Sequence, residues 1–204
     1  MKRCLSTLQP VVKMNFKKTV SHPLFIYLLR FGVVFCVAYF TTVAVEGLST
    51  PEHYYSPFVQ HYLDYPSWLR ASLLNGAKLL LAVFGYHTVI PDAYHLVVVG
   101  GKAVQLIYAC LGVGVMSFWL AFVLANRGPW QRKLLWVLGG MMCIWLINVT
   151  RISLVLLKNN SGKDRMWGLD NHTFFNILSY VALFLMIIWY DRANRNRLDL
   201  NLKS

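Results

Sequence analysis

The sequence predicts an all-α polytopic membrane protein: four transmembrane helices, an extracytoplasmic interfacial or re-entrant helix, and a short β-hairpin. Three observations lead there. The 204 residues are 57% hydrophobic with a mean hydropathy of +0.48, a composition that suits a membrane bundle better than a soluble domain. Four segments supply the roughly 20 apolar residues needed to cross ~30 Å of hydrocarbon. The net charge of +12 falls mostly between those segments, as positive-inside topology produces.

The first span is Leu24–Val45, which carries one arginine, Arg30. Before it lie Lys2, Arg3, Lys13, Lys17 and Lys18 without an acid, so residues 1–23 are expected to be a basic cytoplasmic N-terminus. The apolar run is longer than an ordinary signal-peptide core and nothing like A-x-A follows it, so it is expected to remain as a signal anchor. Residues 46–71 then emerge outside, with Glu46, Glu52 and Asp64 against Arg70. Tyr54, Tyr55, Tyr62, Tyr65 and Trp68 suit an interfacial belt.

Leu69–Ile90 follows, with Arg70, Asn75 and Lys78 on one helical side and Leu73, Leu74, Leu80 and Leu81 supplying the apolar remainder. That pattern describes a helix lying in the interface. The alternative is a genuine span, which would need a further crossing, because two cytoplasmic termini require an even number. YHLVVVGGKAVQLIYAC reads as two β-rich runs about Gly100 and Gly101, a hairpin leading into Cys110. The remaining spans are Leu106–Ala125, Leu134–Leu157 and Thr173–Tyr190. Arg127, Arg132 and Lys133 fill the connection after the second span, and Arg192, Arg195, Arg197 and Lys203 follow the fourth; both are assigned to the cytoplasm. One membrane-embedded domain, 24–190, is expected between the basic N-terminus and a basic tail, 191–204.

The positive charge does not indicate nucleic acid, which would call for a basic face on a soluble fold or an aromatic stacking module. Neither is visible. No metal or other cofactor is expected either: H-E-x-x-H is missing, and His87 and His95 are isolated.

Three polar residues map to the same outer leaflet on different helices. Topology puts Ala125 inside, so Cys110 is expected near the outer face within the first turns of a helix. Helix N-termini favour thiolate over thiol, and Gly112 and Gly114 would leave room for a substrate backbone. The other reading of Cys110 is a small hydrophobe, which is how Cys36 and Cys143 read, with Cys4 a cytoplasmic thiol. Arg151, in NVTRISLVLL, lies six residues before the end of its span, roughly 9 Å at helical rise. A cation there faces protein or a wet cavity, or else snorkels to the headgroups. Asn148 shares its helix face and could orient it. His172, in GLDNHTFF beside Asp170 and Asn171, opens the last span; taken alone it reads as an interfacial polar residue.

The ordered trio of cysteine in YACLGVGV, arginine in NVTRI and histidine in DNHTFF resembles the exosortase/archaeosortase membrane cysteine proteases or transpeptidases, over about residues 69–190. Members typically carry Cys-Ser-Gly at the nucleophile; this chain has Cys110-Leu111-Gly112, and it looks like a compact member holding chiefly the family's core. The resemblance implies acyl transfer with Cys110 as nucleophile, His172 as proton acceptor and donor, and Arg151 stabilising the oxyanion, supported by Gly112, Asn148, Asp170 and Asn171. It implies secreted substrates with a C-terminal motif, a transmembrane helix and a basic tail, handled at the extracytoplasmic side of the inner (cytoplasmic) membrane among its lipids. Two other functions fit the same residues: a non-enzymatic membrane scaffold or assembly factor, and a small transporter or lipid-handling protein in which Arg151 binds an anionic group.

Overall fold

The computed structural model describes residues 23–50, 55–160, 165–166 and 169–203, with side chains described for 23–50, 55–160 and 177–194. The basic N-terminus, including Cys4, lies outside the described residues. The chain is mostly helical, and among the described residues three stretches are long and apolar enough to cross a membrane. These are α1 (Pro23–Ser49), α5 (Trp130–Asn160) and the Ile177–Asn194 part of α6 (Asn171–Lys203). They correspond to the first, third and fourth predicted spans.

The second predicted span is not a full-length helix. Helix α4 covers Val113–Ala125, 13 residues or about 20 Å at 1.5 Å per residue, against ~30 Å of hydrocarbon. Residues 106–112 turn instead. Leu106 donates its N–H to the Tyr94 carbonyl (2.8 Å), and a 3-10 turn over Tyr108–Cys110 closes with Cys110 N–H on the Ile107 carbonyl (2.9 Å) and Leu111 N–H on the Tyr108 carbonyl (3.0 Å). Gly112, at φ +76°, then redirects the chain into α4. Hydropathy could not reveal the break, because a non-helical segment buried in protein is as apolar as a span: Leu106 and Leu111 are 1% and 0% exposed.

A helix is present where the interfacial or re-entrant one was expected, ahead of its expected bounds. A six-residue helix α2 (Pro57–Tyr62) precedes α3 (Tyr65–Val83), where Asp64 caps by accepting the Ser67 N–H at 3.2 Å. Its polar side is not as expected. Asn75 and Lys78 are exposed, but Arg70 is buried with Leu73, Leu74, Ala77 and Leu81, at the i, i+3, i+4, i+7 spacing of one helix face. That face packs on α5 and the sheet. Gly76 permits the approach, since a Cβ there would come within 2.8 Å of the Trp145 and Val149 side chains. Trp145 Nε1 donates to Ser72 Oγ at 3.1 Å across the same seam.

The expected hairpin forms between β2 (His95–Val98) and β3 (Ala103–Gln105), pairing His95 with Gln105 and Val97 with Ala103. A third antiparallel strand, β1 (Thr88–Val89), lies on the other side of β2 and accounts for the end of the segment read as continuing to Ile90. Lys102 N–H donates to Asn160 Oδ1 at 2.6 Å, tying the hairpin to the end of α5. A second small hairpin, β4 (Arg165–Met166) with β5 (Leu169–Asp170), leads into α6.

Two hydrophobic cores result among the described residues, called outer and inner after the topology that the basic segments predict. The outer one joins α3, Leu96 of β2, Leu106, Leu111 and the Val149–Leu156 part of α5. The inner one joins Trp119 and Val123 of α4 with Ile144 of α5 and Tyr190 of α6. Lys133 Nζ closes the inner end by donating to the Leu124 carbonyl (2.9 Å) in the last turn of α4, where unpaired carbonyls and the helix dipole favour a cation. Helix α1 lies along α4 through stacked rings at helical spacing: Tyr27–Phe31, Phe31–Phe35 and Phe35–Tyr39, with centroids 6.5, 6.1 and 5.8 Å apart. Phe31 meets Phe118 of α4 edge-on at 5.3 Å.

Candidate active site

The 3-10 turn presents Cys110 ahead of α4 rather than within its first turns, as the sequence had suggested. Arg151 reaches it from α5: Nη2 lies 3.9 Å from Cys110 Sγ, across 41 residues of sequence. Because α5 continues to Asn160, Arg151 sits about 13 Å along the helix from its end, deeper than the span boundary implied. It is half-buried and turned toward protein, the alternative to snorkelling that the cost of a lipid-facing cation favours.

Asn148, expected to orient Arg151, has a different partner. Its Nδ2 donates to the Leu111 carbonyl at 3.1 Å while the residue is 4% exposed. That bond satisfies a carbonyl stranded between the 3-10 turn and α4. Gly112 serves the same arrangement, since a Cβ there would collide with the Asn148 amide nitrogen. Leu111, standing where exosortase-like sequences typically have serine, is fully buried in the outer core. It contributes packing rather than a hydroxyl.

A cavity of about 600 Å³ opens beside the turn, lined by Phe35 and Tyr39 of α1, Gly112–Val115 and Phe118 of α4, Asn148 and Arg151 of α5, and Ser179, Tyr180 and Leu183 of α6. Tyr108 and Ala109 complete it next to Cys110. Gly112 and Gly114 both line this cavity, which is an aromatic-walled pocket with few polar groups, of a size that encloses a small segment of ligand. Tyr39, Tyr108 and Tyr180 were not singled out from sequence. The only signal for Tyr39 is the four-residue spacing of aromatics along α1.

His172 is the second residue of α6, and Asp170 ends β5 opposite Arg165. The side chains of Asp170, Asn171 and His172 lie outside the described residues. A second polar group joins two residues that the sequence set against each other. Arg70 Nη2 meets Glu46 Oε1 at 2.6 Å, joining α3 to the outer end of α1, with side chains only 3% and 23% exposed. The guanidinium carbon lies 4.5 Å from the centroid of the Tyr94 ring, within cation–π range. On the sheet, His95 pairs with Asp92 at 2.8 Å. Backbone N–H donation from Tyr94, then the His95 side chain, holds the Asp92 carboxyl below its ordinary range.

Three helices long and apolar enough to span, a short apolar helix that follows a buried turn, and a guanidinium that lines a pocket and meets a thiol characterise a multi-pass membrane protein. The chain matches the family model described as Transmembrane exosortase (Exosortase_EpsH) over residues 8–189, and it belongs to the exosortase family. The match takes in α1 as well as the region from 69 onward that carries the motifs. No curated protein and no solved structure matches it.

Proposed function

We propose that this exosortase is a membrane-embedded cysteine peptidase or transpeptidase that cleaves C-terminal sorting signals of secreted proteins at the extracytoplasmic face of the inner membrane. The observation that carries this reading is the 3.9 Å approach of Cys110 to Arg151, which itself lines the aromatic-walled cavity. A snorkelling arginine or an incidental thiol has no reason to meet the other.

In the proposed reaction, Cys110 Sγ attacks a substrate carbonyl carbon, forming the C–S bond as its proton passes to His172. Negative charge collects on the carbonyl oxygen. Arg151 stabilises it with a cationic, planar guanidinium that offers several N–H donors. Collapse breaks the C–N bond, His172 returns the proton to the leaving amine, and a thioester remains. An amine or lipid acceptor, or water, then attacks the thioester and releases Cys110. Asn148 and Gly112 act on this chemistry by fixing the turn that holds the nucleophile; Asp170 and Asn171 are assigned to the neighbourhood of His172.

The test is processing of a co-expressed secreted protein that ends in a short motif, a transmembrane helix and a basic tail. Cys110→Ala is expected to abolish the mobility shift of that protein while accumulating normally in the membrane; Cys36→Ala and Cys143→Ala are expected to process it as wild type does. Undiminished processing by the Cys110 variant would sink the mechanism and leave a scaffold or transporter role.

A further inference from the structure

At the other end of the bundle from Cys110, α4, α5 and α6 leave a second cavity of about 650 Å³. Its wall is apolar and aromatic: Trp119, Trp136, Trp189 and Met186 surround the strip Gly139–Gly140 of α5. Trp136 and Trp189 meet edge to face with centroids 5.0 Å apart, so this wall is preformed. Its rim faces outward, for Leu135 is 72% and Trp189 63% exposed. One cation stands on the lining. Arg132 is held there by donation from Nη2 to the Ala193 carbonyl at 2.9 Å, which fixes the guanidinium at the mouth of the groove.

The segments that flank Arg132 and Ala193 in sequence are net basic. Arg127 and Lys133 flank Arg132 in sequence, and Arg192 offsets Asp191 on α6. A long apolar groove with a cation at the membrane boundary matches an amphiphile that carries a negative headgroup. A free phosphate would leave the tryptophan wall unused, and a zwitterionic lipid would place a second cation beside Arg132. Basic pockets between transmembrane helices bind anionic lipids for this reason.

We propose that the groove binds one anionic phospholipid from the leaflet at the basic end of the bundle. Its phosphate sits at Arg132, and an acyl chain runs past Gly139 along Trp136 and Trp189. Gly139 keeps the path open, since a Cβ added there meets nothing within 4 Å. Cys143 lines the same groove and reports on its occupancy.

The experiment is native mass spectrometry of the full chain in detergent, titrated with phosphatidylglycerol or with phosphatidylcholine of the same acyl composition. One phosphatidylglycerol adduct is expected to survive activation that strips phosphatidylcholine. Arg132→Gln should erase that preference, and Gly139→Leu, which fills the groove from an open helix surface, should lose the adduct. In parallel, maleimide labelling of Cys143 in the wild-type chain should slow several-fold with phosphatidylglycerol and not with phosphatidylcholine; that arm needs no variant to fold. Equal retention of the two lipids by wild type would overturn the proposal, as would an Arg132→Gln variant that keeps the preference. Shielding of Cys143 by a co-purifying membrane protein and by neither lipid would do the same, and would assign the groove to a protein helix.

Discussion

Asn148 donates its side-chain amide to the Leu111 carbonyl at 3.1 Å, so the long helix α5 holds the turn that presents Cys110. Gly112 lets the two approach, and it adopts a left-handed φ of +76° that also favours glycine. The expectation is that Gly112→Ala loses stability from both causes: about 1–2 kcal/mol from the backbone, and on the order of 1–3 kcal/mol if Asn148 is pushed off the carbonyl. Asn148→Ala should lose the second amount alone. Thermal unfolding of the two variants and their double mutant in detergent checks this, and additive losses would show that the residues do not act through one contact.

Arg151 distinguishes catalysis from anchoring. Arg151→Lys preserves the charge but not the planar fork of donors, and misplacing one such donor typically costs about 10²–10³ in rate. The variant should therefore accumulate normally and process substrate far more slowly, with Cys110 still reacting with small electrophiles. Turnover within a few-fold of wild type would reduce Arg151 to a membrane anchor.

The Glu46–Arg70 pair is expected to show strong coupling. Removing one partner leaves the other buried and uncompensated, which typically costs about 3–5 kcal/mol. Glu46→Gln and Arg70→Met should each destabilise the protein severely, and the double variant by much less than their sum. A double-mutant cycle on unfolding midpoints measures the coupling, and strict additivity would mean that the pair is held apart in the working protein.

The basic segments set a topology that is open to direct labelling. With the native cysteines replaced, a cysteine at exposed Asp92 should react with an impermeant maleimide in intact cells, after permeabilising any outer membrane. One at exposed Gln131 should not react. The reverse pattern would invert the bundle and move Cys110 to the cytoplasmic side.

Much of the molecule was legible because membrane spans and strand pairs leave periodic traces. The long apolar runs of α1, α5 and α6 declared themselves, and Gly100 and Gly101 between β-rich runs marked the hairpin. Cys110 and Arg151 were found because a thiol and an arginine are conspicuous in apolar segments, and the structure brings these two together. What stayed hidden depends on distant partners. The sequence reading put Arg70 on a polar side with Asn75 and Lys78, whereas the structure buries it beside Leu73, Leu74, Ala77 and Leu81, where it pairs with Glu46, 24 residues away. The break at 106–112 was hidden for another reason: solvent-excluded loops and spans share one composition, and hydrogen bonds that distinguish them come from Tyr94 and Asn148.

The 13 residues of α4 also act as a ruler. With Ala125 at the cytoplasmic boundary that the basic connection predicts, the helix would stop about 10 Å short of the far edge of a ~30 Å hydrocarbon layer. Backbone that is not helical survives at that depth only when protein surrounds it, and the outer core supplies that surround for Leu106 and Leu111. In the proposed reaction a polypeptide would then be cut according to how far below the headgroups its vulnerable bond hangs, as well as by the letters around it. Lengthening α4 by one turn would raise the turn by about 5 Å, and the preferred bond in a substrate should move outward with it.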